Sequence, residues 1–119
     1  MFALMAAISA DNVDQFQKYN PQMATTGPNN ISLFQAAKTY NADKIFIKLL
    51  YNQKNLSIDD LNEIKDSFKS AIQKNNSTLI IKILMWAAIT SNLDNLMDPE
   101  TYALIEKYNN QFDLNSQNK

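Results

Sequence analysis

Four carboxylates crowd one short stretch of the chain: Asp59, Asp60, Glu63 and Asp66. On a helix, Asp59, Glu63 and Asp66 fall at i, i+4 and i+7 on one face, where three of them could converge on Mg²⁺ or Ca²⁺. The loop ligands and the glycine of an EF-hand are missing. Acids in a first helical turn also complement the positive end of the helix dipole, and a charged stripe opposite an apolar one is ordinarily solvated. That arrangement accounts for all four residues, so no metal and no other cofactor is expected. Asp98-Pro99-Glu100 offers a further carboxylate pair, but an acid followed by proline is a helix start in its own right. Trp86 could stack on a ligand. It lies inside the most apolar run of the chain, however, and reads as core, as do Met85 and Met5.

The remaining composition closes off other chemistry. The 119 residues contain no Cys and no His, and all eleven cationic residues are Lys. Thiol nucleophiles, disulfides, imidazole acid-base catalysis and the usual zinc sites are excluded. Without Arg there is no bidentate fork for phosphate, carboxylate or guanine. No G-x-S-x-G or S-x-x-K motif accompanies the serines. The net charge of −1 gives no field that would recruit nucleic acid. The pairs Lys44/Lys48 and Lys65/Lys69 stand beside Asp43 and Asp66 and form no basic patch. The expectation is a protein that is not an enzyme and does not bind nucleic acid.

One Gly and three Pro in 119 residues argue against hairpin-rich sheets and for helices joined by Asn-rich turns. The central element is Leu79–Ile89, interrupted only by Lys82. A helix there is apolar on nearly every face, which predicts burial on nearly every side. It is about half the length of a membrane span. Met1–Ala10 lacks the basic leader of a secretory signal. The chain therefore reads as soluble and cytoplasmic, and secretion into another cell is the alternative.

Taken in order, Phe2, Leu4, Met5 and Ile8 form the face of a first helix. Asp11 or Asn12 caps a second, carrying Val13, Phe16 and Tyr19. Asn20–Asn30 is a loop. Ser32 caps a third helix with Leu33, Phe34, Ala36, Ala37 and Tyr40. Asn41 breaks it and caps a fourth over Ala42–Tyr51. After the polar connector Asn52–Asn55, Ser57 starts a fifth helix with the stripe Ile58, Leu61, Ile64, Phe68, Ala71 and Ile72. Asn76 or Ser77 caps the sixth, Ser91–Leu96 is a turn, and Asp98-Pro99 starts a seventh whose buried stripe is Tyr102, Ile105 and Tyr108. The reading is all-α, with about seven helices in stacked helix-turn-helix hairpins. Residues 1–108 form one domain, and 109–119 form a polar tail in which Phe112 and Leu114 could dock.

The hairpins are mutually similar. Moving Leu33–Leu50 forward by 34 positions lays Phe34 on Phe68, Ala37 on Ala71, Asn41 on Asn75 and Ile45 on Leu79. Moving it back by 29 lays Leu33 on Leu4, Ala36 on Ala7 and Asn41 on Asn12. A period of this size is that of helical repeat arrays.

Over roughly Phe2–Leu84 the chain resembles a degenerate ankyrin-repeat array. Ile31-Ser32-Leu33-Phe34-Gln35-Ala36-Ala37 is similar to the T-P-L-H-x-A-A signature of that family, and Leu4-Met5-Ala6-Ala7 running on to Val13-Asp14-Gln15-Phe16 is similar to the same unit. No unit has the Thr-Pro pair or the His, and the first helix of the third unit is about twice the usual length. The resemblance implies a protein-binding module of unknown partner and oligomeric state. Its recognition face would comprise Gln22, Met23, Thr25 and Thr26 in the loop, then Gln35, Lys38, Lys69 and Gln73. Met23, bulky and apolar in a polar loop, either anchors a partner or folds back onto the core, and the second is preferred. A bacterial effector or regulatory role would suit degenerate ankyrin units in an Asn-, Lys- and Ile-rich chain. The alternative is a structural cap, subunit or fragment of a larger helical assembly, because the Phe2–Ile8 face has no polar cover.

Overall fold

Four helices of this protein end in the same way. The second residue past the helix takes a left-handed conformation: Asp11 at φ 51°, Asn41 at 56°, Asn75 at 56° and Ser91 at 61°. The next N–H then donates back five residues to an alanine carbonyl: Asn12 to Ala7 (2.9 Å), Ala42 to Ala37 (2.8 Å), Asn76 to Ala71 (2.9 Å) and Asn92 to Ala87 (2.8 Å). This is the bond of the Schellman cap, which satisfies a helix-end carbonyl while reversing the chain. Glycine is the usual left-handed residue, and Asn and Asp are the side chains that tolerate the position best. The turns set a register of 30 between the first two hairpins: Asp11, not Asn12, takes the place of Asn41, and Phe16 that of Phe46.

The computed structural model describes residues 2–53 and 56–117, with side chains described for 3–27, 29–53 and 56–108. The fold is all-α. Eight α-helices are found among the described residues: α1 Phe2–Ser9, α2 Val13–Tyr19, α3 Leu33–Thr39, α4 Asp43–Tyr51, α5 Ile58–Gln73, α6 Ser77–Ile89, α7 Leu93–Leu96 and α8 Pro99–Gln117. The additional element is α7, a single helical turn inside Ser91–Leu96, the stretch read as a turn. Helix α8 runs beyond Tyr108 into the segment read as a tail. The side chains of Phe2, Phe112 and Leu114, and residues 54 and 55 of the connector, lie outside the described residues.

Two compact units divide the chain, Met1–Ile64 and Lys65–Lys119, with the boundary inside α5. In the first unit α1 packs on α2 and α3 on α4, and the hairpins stack α1 on α3 and α2 on α4. Its buried residues include Leu4, Ala7, Ile8, Phe16, Leu33, Phe34, Ala37, Ile45, Phe46, Leu49 and Leu50. Phe34 and Phe46 meet edge to face, with centroids 5.2 Å apart, a favoured aromatic geometry. In the second unit Phe68, Ala71, Ile72, Leu79, Ile83, Trp86, Ala87 and Leu96 are buried.

Several sequence expectations need correction. Helix α6 is not buried on nearly every side. Leu79, Ile83, Trp86 and Ala87 are buried, but Ile81 is 53% exposed, Met85 48% and Ile89 73%. The helix packs along one stripe, and the opposite i, i+4, i+8 ridge stays open. Met85 is therefore not core, whereas Trp86 is. On α8, Tyr102 is exposed and Thr101 is fully buried in its place. Asp98 and Thr101 share the side of the helix drawn toward Lys65 and Lys69, and Tyr102 lies about 100° further round. Ile58, Tyr19 and Tyr40 are likewise exposed, each at an end of its helix.

Candidate functional site

The loop between α2 and α3 is built before it is presented. The Asn20 side chain brackets Ala24, accepting from its N–H (3.1 Å) and donating to its carbonyl (3.0 Å). The Met23 N–H donates to the Asn20 carbonyl at 3.0 Å. Met23 adopts φ 53° and is 6% exposed, so its side chain is turned inward and leaves the outer face of the loop. From α4's far end, the Gln53 amide donates both to the Met23 carbonyl (2.8 Å) and to Leu49 (2.9 Å). The far side of the loop closes through Leu33 N–H to the Thr25 carbonyl (2.8 Å) and Gly27 N–H to Ile31 (2.8 Å), with a single bridge between Thr26 and Ser32. A Cβ at Gly27 would meet Leu33 Cδ2 at 3.0 Å, so a larger residue here would require the Leu33 side chain to shift.

Of the eight candidate binding residues, six belong to the first unit. Gln22, Thr26, Gln35 and Lys38 are exposed, Thr25 is half-buried and Met23 is inside. Lys69 and Gln73 belong to the second unit. Lys69 is engaged there, its Nζ 3.5 Å from Asp98 and 3.2 Å from Glu100, while Lys65 reaches Asp98 at 3.3 Å. Lys69 is thus part of an ion-pair network that holds the start of α8.

Asp98 is also the cap of that helix, accepting from the Thr101 N–H at 2.8 Å. Its carboxyl is held well below the usual carboxylate range, chiefly because that N–H bonds to the charged form, with Lys65 and Lys69 adding to the effect. A depressed pKa contributes stability above the unfolded pKa, and that contribution is lost as pH falls through the folded value. Asp98→Asn keeps a capping oxygen and removes the charge. We expect it to cost about 0.5–1 kcal/mol at neutral pH. In urea titrations the gap to the parent should narrow as pH falls below about 4, where the carboxyl of the unfolded parent protonates while that of the folded parent is still charged. A gap that is constant with pH would remove the charge from the explanation.

The carboxylates of α5 do not assemble. Asp59 and Asp66 are exposed and Asp60 is buried, and no group of three acidic side chains able to hold a metal ion occurs among the described residues.

Sequence reasoning missed two features. Asp11 caps a helix other than its own: its carboxylate accepts from Lys44 N–H (3.2 Å) and Ile45 N–H (2.9 Å) at the start of α4. The expected cap, Asn41, is the left-handed residue of the turn, and the residue at the N-cap position is Ala42, which has no capping oxygen. The second is an open face on the first hairpin. Ala3, Ala6 and Ala10 are exposed and line a shallow cavity of about 290 Å³ together with Ala7, Asn12, Gln15 and Tyr19. At the register of 30, Ala3 and Ala6 correspond to Leu33 and Ala36, which are buried.

No protein-family model matches the chain. Neither a curated protein nor a solved structure matches it. Among the described residues no helix is long and apolar enough to cross a membrane.

Proposed function

We propose that the chain is a non-catalytic protein-interaction module of ankyrin-like helical hairpins, which engages a protein partner through the loop and first-helix face of its first unit. The observation that carries this reading is the loop over Asn20–Ser32. Its backbone is fastened by Asn20, Gln53 and the anchored Met23, while Gln22, Thr26, Gln35 and Lys38 are left exposed. A loop fixed beforehand loses little freedom on binding, so more of the contact energy appears as affinity. The residue types suit polar recognition of another protein and lack the groups for catalysis.

The test is affinity capture of the full chain at about 0.15 M salt, where long-range charge attraction is screened. A Gln35→Ala/Lys38→Glu variant is run in parallel. Both side chains are exposed, so the variant is expected to fold as the parent does. A near-stoichiometric partner lost in the variant supports the reading. A partner retained at full strength removes this face from it.

A second reading is a structural subunit of a larger helical assembly. The uncovered Ala3 and Ala6 favour it, since their counterparts in the next hairpin, Leu33 and Ala36, are packed. A chain that captures no partner and is recovered only as part of a larger helical complex would move the weight to this reading.

A further inference from the structure

The open ridge on α6 is symmetric about its middle residue. Ile81, Met85 and Ile89 stand at i, i+4 and i+8, one turn apart on one face, and are 53%, 48% and 73% exposed. Read in either direction from Met85 the ridge is the same, Ile-Met-Ile. Rows of this spacing are the ridges by which helices interdigitate at 8–10 Å. A twofold interface requires a surface complementary to itself. We propose that this ridge is a docking surface for a second copy of the chain, with the two α6 helices antiparallel and Met85 on the twofold axis.

Two observations select this occupant. In antiparallel register Ile81 faces Ile89 of the other copy and Met85 faces its counterpart, so every open apolar residue of the ridge finds another. The sole charge of α6, Lys82, falls opposite Ala88 in that register, whereas parallel pairing would set two Lys82 side chains side by side. The area also fits. The three side chains leave roughly 350 Å² open per copy, within the range of the larger apolar patches on monomers. That is somewhat under half of what each partner gives to a standard interface. The dimer should accordingly be weak, with a dissociation constant on the order of 100 µM. This association goes beyond the first-unit reading and does not depend on it.

Sedimentation velocity of the full chain from about 10 µM to about 1 mM brackets that constant. The expected result is a weight-average mass rising from that of one chain, 13.6 kDa, toward twice that value. Met85→Lys should remain monomeric at all concentrations, as should Met85→Glu, and mixing the two should restore association. Ile89→Lys, at the most exposed position of the ridge, should also abolish it, and far-UV circular dichroism should show each variant folded. A parent chain that stays monomeric throughout overturns the proposal. So does a Met85→Lys variant that dimerises like the parent, or a Lys/Glu mixture that does not associate.

Because the chain has no Cys, Met85→Cys provides an independent reading. Under mild oxidation it should form a symmetric disulfide-linked dimer, and Gln35→Cys should not. Equal cross-linking of the two would overturn the placement of the axis.

Discussion

Replacing Met23 with alanine is expected to cost about 3 kcal/mol of stability, more than most substitutions in a surface loop. Met23 is 6% exposed, so the truncation removes apolar contact and leaves space that the fastened loop cannot readily close. Both residues carry a Cβ, so the strain of φ 53° is common to the two proteins and cancels from the difference. The Gln53 bond to the Met23 carbonyl belongs to the backbone and survives the change. Urea unfolding of parent and variant measures the effect. A loss below about 1 kcal/mol would be the cost of a surface position and would mean that the side chain does not belong to the core. If the first-unit face binds a partner, the same substitution should weaken that binding without touching it, because the loop would no longer be fixed in advance.

Asp11→Ala is expected to cost about 2 kcal/mol. The side chain satisfies two N–H groups at the start of α4, and Ala42 has nothing with which to replace it. Alanine also tolerates the left-handed conformation at φ 51° less well than aspartate does. Asp11→Asn separates these contributions, because asparagine accepts the conformation and keeps one acceptor oxygen. Its loss should be about half as large. Equal losses for the two variants, read from thermal unfolding, would leave the cap out of the account and make the charge the operative quantity.

The helices are legible in the chain because their signals are local. Ser32, Ser57, Asn76 and Asp98 each accept from the N–H three residues on, as their positions before apolar runs imply. The stripe Ile64, Phe68, Ala71 and Ile72 is buried as its spacing indicates. Asp11 is different, since its acceptors serve N–H groups 33 and 34 residues away and no window of the sequence reports such a pairing. The openness of Ile81, Met85 and Ile89 was hidden for another reason. Apolar composition shows that a face favours burial, but not that the chain has a neighbour to put there. Of the candidate binding residues, the inward turn of Met23 was the preferred alternative from its isolation among polar residues. The engagement of Lys69 was not foreseen, because Asp98 is remote from it in sequence and reaches it only through the fold.

The link from Asp11 to α4 also bears on the order of events in folding. Each hairpin of the first unit closes through bonds that span three to five residues, and such local closures form quickly. The carboxylate of Asp11 has no helix end to cap until the second hairpin exists and has docked on the first. Its contribution should therefore be absent from the transition state. Stopped-flow kinetics on Asp11→Asn, which keeps the left-handed turn, should show a nearly unchanged folding rate and an unfolding rate raised by roughly fivefold for a loss of about 1 kcal/mol. On this view the residue acts as a latch on the finished stack, setting how long the two hairpins stay together rather than how soon they meet.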